Sequence, residues 1–338
     1  MSPEKLEQLK LFFAKKSPAW VHGTLVKIYG VYKNILMHEQ KKSFGDKNPD
    51  KTFFVIRLFP PAVGYLANYN YVLGYMKYAY EKGWIPVVDM QNYATFYQED
   101  ESVNGTRNVW EYYFLQPEEI GTGKRYSLEE VYQSKNVVLA NGSMQLQSFD
   151  ACRNLEVLKW QSEMARLAPF NERTLTHLEK ARNEVIPEGV PVVGVAFRGS
   201  DMGSRMIGHY IQATVDDVVP RLNEKMIEWF GQSDVKPAIF VKSEEAETVN
   251  DFSKYFEKVC YVDEKRLENF DKEGIHNVAE NYKNSSKYQQ TLDYFTSIYL
   301  LSKCDYLMGS MNNGVNTAII WNGGSYKVCD VIDKGIYK

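Results

Sequence analysis

From Thr52 to the last residues, short apolar runs alternate with longer segments of helical periodicity, and this alternation constrains the fold more than any other feature. TFFVIRLF (52–59), WIPVVDM (84–90) and KNVVLA (135–140) read as strands. Between and after them, GYLANYNYVLGYMKYAYEKG (64–83), NVWEYYFLQP (108–117), WQSEMARLA and NERTLTHLEKARNEV read as helices. Pro187, Gly189 and Pro191 then make a stiff, turn-rich joint. Beyond it the alternation is cleaner. VVGVAFRG (192–199), AIFVKS (238–243), VCYVDE (259–264), YLMGS (306–310) and YKVCDVI (326–332) read as strands with helices between them. Near-continuous apolar strands are buried on both faces, which implies parallel sheets covered by helices. The chain is therefore expected to be α/β, with two Rossmann-like domains facing a cleft. The expected boundaries are 52–187 and 188–338, after a helical extension over 1–51. The length of 338 residues suits two domains of about 150 residues each.

The extension has its own charge. Residues 1–51 hold ten lysines and five acidic residues, whereas the whole chain has a net charge of −3. LEQLKLFFAKK and WVHGTLVKIYGVYKNILMHEQKK read as amphipathic helices with basic faces. They either pack on the first domain with their lysines solvated or make peripheral contact with an anionic membrane through residues 1–42. No apolar run reaches the roughly 20 residues of a spanning helix, and no signal peptide is visible, so a cytoplasmic protein is expected, peripheral at most at the inner face of the membrane. With no overall positive charge, nucleic acid is not an expected partner. The four cysteines lie far apart and are expected to be reduced, mostly core residues. Aromatics make up 14% of the chain; most should fill the cores, and the rest suit sugar or base stacking.

In parallel α/β sheets, ligands bind beyond the carboxyl ends of the strands. Three such ends carry chemistry here. In GVAFRGSDMGSRMIGHYIQAT (194–214), Arg198 offers a planar fork of donors suited to phosphate, and Gly199 lets the backbone approach a ligand. Asp201 either orients Arg198 or acts as a base, and His209 follows in the same loop. In AIFVKSEEAE (238–247), Ser243 and Glu244 either contact a base or ribose or cap the next helix. In CDYLMGSMNNGVNTAIIW (304–321), Ser310, Asn312 and Asn313 precede a helix whose amino end is a ready anion site, with capping by Asn313 as the alternative reading. On the opposite side, Asn68, Asn92, Tyr93 and Glu111 are candidates for holding an acceptor. There is no GxGxxG, P-loop, HExxH, Asp-x-Asp or Cys/His cluster. Five histidines give zinc and Ser-His-Asp chemistry little support.

The ordered series GVAFRGSD, AIFVKSEE and SIYLLSKCDYLMGSMNNG, preceded by GYLANYNYVLGYMKYAYEKGWIPVVDMQNY and VWEYYFLQP, resembles the α-1,6-fucosyltransferase and nodulation-fucosyltransferase superfamily. It is most similar to bacterial members of the capsule and O-antigen type. The resemblance covers residues 52–335. It implies a GT-B fold and inverting, metal-independent transfer of a fucose-like sugar from a GDP-sugar to a glycan acceptor, lipid-linked in some settings, in cell-surface polysaccharide synthesis. It places Arg198 on the donor diphosphate, Ser243 and Glu244 near the nucleotide, Asn312 near the phosphates and Asp293 close to the family's nucleotide-contacting aspartate. Arg198, Asp201 and His209 are the catalytic candidates, with Asp201 the first choice of base and His209 the second. The family's histidine two residues before the arginine is Ala196 here, and its second arginine is Gly199. Those departures motivate an alternative: a non-catalytic nucleotide-sugar or glycan-binding protein with a decayed site. An NAD enzyme is a third reading, disfavoured by the absent glycine fingerprint.

Overall fold

The computed structural model describes residues 38–58, 64–140, 151–198, 210–231, 236–262 and 286–337. Gly199, Asp201, His209 and the basic helices expected before residue 38 lie outside these described residues.

Two sheets carry the fold. The first has β1 (Gln40–Lys42), β2 (Lys47–Ile56), β3 (Ile85–Val88) and β4 (Ser134–Leu139) in the order β1-β4-β2-β3. β2 runs parallel to both β3 and β4, and β1 is antiparallel to β4. The second has β5 (Val192–Ala196), β6 (Ala238–Lys242), β7 (Val259–Cys260), β8 (Tyr306–Ser310) and β9 (Val328–Ile332) in the order β7-β6-β5-β8-β9, all parallel. The helices are α1 (Tyr65–Glu81), α2 (Leu128–Val131), α3 (Leu155–Leu167), α4 (Glu172–Val185), α5 (Val215–Phe230), α6 (Ala246–Ser253), α7 (Lys287–Ser302) and α8 (Asn313–Asn322). The α/β architecture with two Rossmann-like sheets, expected from the sequence and from the GT-B resemblance, is the one observed. Among the described residues, no helix is long and apolar enough to cross a membrane.

The central strands β5, β6 and β8 are buried at every position, as their apolar runs require. Helix α7 is buried on almost every side from Thr291 onward and packs against β5 and β6. The approach is close: a Cβ on Gly194 would sit 2.7 Å from Leu301 Cδ1 and 3.1 Å from Cys304 Sγ. Glycine is needed in β5 because the helix lies directly on it.

The far side of α7 joins the two units. Phe295 meets Tyr65 and Tyr113 at ring separations of 5.0 Å and Trp321 at 5.8 Å. Trp321 Nε1 donates to Tyr69 OH at 3.0 Å. One buried cluster runs from Phe54 on β2 through these rings to Ile320 on α8. Aromatic abundance is thus largely a core property, with Trp110, Tyr69, Tyr75, Tyr112 and Tyr113 among the largest fully buried side chains. The cysteines are free; Cys304 is buried and the other three are half-buried.

Two local expectations are corrected. Residues 40–42, read as the end of a basic helix, form strand β1, and β2 begins at Lys47, ahead of the strand expected from Thr52. The open edge of β4 supplies the hydrogen bonds, in the register Gln40↔Leu139, and Phe44 N donates to Ser134 O at 3.0 Å. Residues 108–117 form a turn rather than a helix. Asn108 accepts from Met90 N at 3.0 Å and donates to Val88 O at 2.8 Å, so its side chain ties the turn to the end of β3. The Gln116 amide does the same, donating to Val88 O at 2.9 Å.

Candidate active site

Counted outward from β5, the second sheet has the order of a dinucleotide-binding half. The chain goes from β5 to β6 on one side and returns to β8 on the other. The crevice of such a sheet opens where the direction reverses, at the carboxyl ends of β5 and β8. A pocket lies there, and Arg198, Lys242, Glu244, Tyr294, Asn312 and Gly314 are on its walls. Arg198 follows β5, Lys242 ends β6, Tyr294 comes from α7, and Asn312 and Gly314 form the amino end of α8.

The last element is built for an anion. Asn312 caps α8, accepting from Val315 N at 3.0 Å through its side-chain oxygen. Its amide group donates to Gln212 Oε1 and to Ser310 O, both at 3.1 Å. Gln212 in turn donates to Met311 O at 3.2 Å, and Ser310 Oγ accepts from Ala213 N at 2.7 Å. The β8–α8 turn and the segment just before α5 therefore brace each other. Backbone N–H groups at such a helix end carry partial positive charge. Gly314 cannot gain a side chain freely, because its Cβ would lie 3.0 Å from both Tyr294 OH and Ile298 Cδ1.

Lys242 was not anticipated. The ammonium is almost wholly buried, pairs with Glu244 at 2.8 Å and lies 4.9 Å from the Tyr294 ring centre. The available signal was a lysine closing an otherwise apolar run, AIFVK, immediately before a ligand-facing strand end. Tyr97 of the first unit, also unanticipated, is close enough to feel the charge of two wall residues. Tyr97 stands in the electrostatic field of Tyr294 and Glu244, and burial pushes its hydroxyl up to about 12.

The structure thus brings Arg198, Glu244 and Asn312 into one pocket. Ser243 is buried beside it and accepts from Glu245 N at 3.1 Å. Capping of α8 falls to Asn312; Asn313 instead accepts from Asn70 of α1 at 3.2 Å, across the junction of the two units. Asp293 sits one residue from Tyr294 but in the field of His177 on α4. It accepts from Gln289 at 2.7 Å, and burial raises its carboxyl above the ordinary range.

The four acceptor candidates occupy the first unit. Asn68 is buried in α1. Asn92 donates to Asp89 Oδ1 through its backbone at 2.8 Å, and Tyr93 OH accepts from Arg57 at 3.2 Å. The Glu111 carboxylate accepts from Thr106, Asn108 and Gln116 at 2.8, 3.2 and 2.7 Å. A carboxylate with three intramolecular donors braces its own turn.

The crevice lies at the switch point of a Rossmann-type sheet and has cationic side chains and a helix amino end on its walls. The chain matches no protein-family model, and no curated protein matches it. Solved structures similar to it include fucosyltransferase NodZ from Bradyrhizobium, with a TM-score of 0.47 and 14% identity over 76% of this chain and 88% of that one. NodZ α-1,6-fucosyltransferase soaked with GDP-fucose gives a TM-score of 0.46 at 14% identity, with the same coverage. POFUT1 in complex with GDP gives 0.35 at 10% identity, over 62% of this chain and 56% of that one.

Proposed function

We propose that this chain is a glycosyltransferase that takes a fucose-like sugar from a GDP-sugar and passes it to a glycan acceptor. The observation that carries this reading is the position of Arg198. It stands at the carboxyl end of β5, in the switch-point pocket, opposite the amino end of α8. The ordered motifs supply the sugar-donor chemistry. In the proposed division of labour, residues 188–338 hold the donor and residues 52–187 the acceptor. Synthesis of a cell-surface polysaccharide, on a lipid-linked acceptor, extends the reading and follows from the motif resemblance. Peripheral membrane contact through 1–42 is a separate part of the proposal, supported by the basic, amphipathic pattern of that segment.

The chemistry is a displacement at the anomeric carbon. The bond from that carbon to the β-phosphate oxygen breaks, and its electron pair stays on the phosphate. The acceptor oxygen forms the new bond from the opposite face, which inverts the configuration, and its proton passes to a base. Charge accumulates on the β-phosphate as the bond breaks, so fixed donors aimed at that oxygen lower the barrier. Arg198 and the α8 amino end supply such donors without a metal ion. Asp201 and His209, three and eleven residues beyond Arg198, are the proposed bases; a base must reach the acceptor hydroxyl within hydrogen-bond distance. Packing of the first unit against α7 and α8 limits water at the donor, which would otherwise hydrolyse it.

The test is release of GDP from GDP-fucose, with and without a glycan acceptor and with EDTA. GDP release that EDTA leaves intact and Arg198→Ala lowers by at least about 100-fold supports the reading. GDP binding with no turnover favours the non-catalytic alternative. The observation behind that alternative is Ala196: buried against Gly309, it leaves no titratable group at the family's histidine position.

A further inference from the structure

Lys242 is an expensive residue to place where it is. β6 is otherwise entirely apolar and buried, and the Lys242 side chain is only 6% exposed. Removing an ammonium from water costs several kcal/mol, and an ion pair returns that only in part. An apolar residue closing the strand would serve stability as well or better. The charge is therefore better explained by what the pocket holds. Lys242 and Arg198 converge on the same pocket from neighbouring strand ends, and the amino end of α8 closes it. A nucleoside diphosphate brings more than one negative charge to such a place, and the diphosphate gains another as the sugar leaves.

We infer that Lys242 is a second cation for the donor diphosphate and that Glu244 holds its place until the diphosphate binds. The carboxylate, 2.8 Å away, keeps the ammonium desolvated and aimed, with the Tyr294 ring against it. On binding, phosphate oxygens replace the carboxylate as partner of the ammonium. Glu244 then competes with the ligand rather than contacting the base or ribose. The assignment rests on the donor-site reading above and gives a specific role to the lysine of AIFVKSEE, a residue to which the motif resemblance assigns none. It also supplies the positive charge that Gly199 does not.

The experiment is calorimetric titration of the full chain with GDP, GMP and guanosine, and with UDP, CDP and ADP in parallel. Lys242→Met should weaken GDP about 10- to 100-fold and leave guanosine unchanged, whereas Lys242→Arg keeps most of the affinity. Glu244→Gln should tighten GDP several-fold, again without effect on guanosine. If Lys242→Met folds poorly, the double variant Lys242→Met with Glu244→Gln removes both charges together and must still weaken GDP relative to guanosine, by less than the single variant. An unchanged GDP-to-guanosine ratio in either variant, in a wild type that binds GDP, overturns the inference and leaves the donor-site reading standing. A wild type that prefers no nucleoside diphosphate over its nucleoside overturns both.

Discussion

At the carboxyl end of β2, where the first sheet reverses direction between β3 and β4, Arg57 is buried. Its guanidinium donates to Ala140 O at 2.8 Å, to Tyr93 OH at 3.2 Å and to His38 O at 3.3 Å. At the corresponding end of β5, Arg198 lines a pocket with Lys242 and the amino end of α8. Both arginines follow a strand that has a parallel neighbour on each side. Arg57 bonds the neighbouring strand end and the chain before β1; Arg198 stands at a pocket with a second cation and a helix amino end on its walls. Nearby Asp89 reinforces the contrast, accepting from Gln91 N, Asn92 and Tyr132 OH.

Exchanging stability for binding between the two arginines would break this comparison. The largest effect is expected from Arg198→Met, which should weaken GDP by at least about 100-fold, or about 2.7 kcal/mol, with little change in melting temperature. A melting loss without loss of GDP affinity would make Arg198 a second brace. Arg57→Met should do the reverse. Losing several buried, charge-assisted hydrogen bonds should cost about 2 kcal/mol in urea unfolding, with GDP affinity within about twofold of wild type. Gly314→Ala sharpens the picture of the anion wall. Its Cβ would press on Tyr294 OH and Ile298 Cδ1. A shift of the α8 amino end by a few tenths of an ångström should weaken GDP about fivefold in the same titration.

The smallest effect should come from Asp217, in the second unit but away from the pocket. Lys334 and Thr214 hold its carboxyl below the ordinary range. A depressed folded-state pKa adds stability above the usual aspartate value, near 3.9, and that contribution disappears as the pH falls through the depressed one. Asp217→Asn should therefore cost about 0.5 kcal/mol at pH 7 and less at about pH 2, with GDP affinity untouched. Thermal melts at the two pH values check this.

The regular parts of this molecule were legible in its sequence. Runs such as VVGVA and AIFVK have one stable use, a strand covered on both faces, and they led directly to Arg198 and to the β8–α8 turn. What stayed hidden was decided elsewhere in the chain. QKK has no apolar pattern and becomes β1 only because β4 has an open edge. Residues 108–117 have a helical look, but Asn108 and Gln116 bind the end of β3 instead. Helix α7 is buried on nearly every side, polar Thr291, Thr296 and Ser297 included, so its periodicity could not say that Tyr294 rather than Asp293 lines the pocket. The buried placement of Lys242 was equally invisible, since a lysine at a strand end ordinarily extends its charge into water.

The most direct test of the account is a crystal structure of the protein with GDP bound. The account predicts the diphosphate in the β5–β8 crevice, bonded to Arg198 and to backbone amides at the amino end of α8, with the Lys242 ammonium turned from Glu244 to a phosphate oxygen. GDP held elsewhere, such as at the Arg57 end of the first sheet, would contradict it.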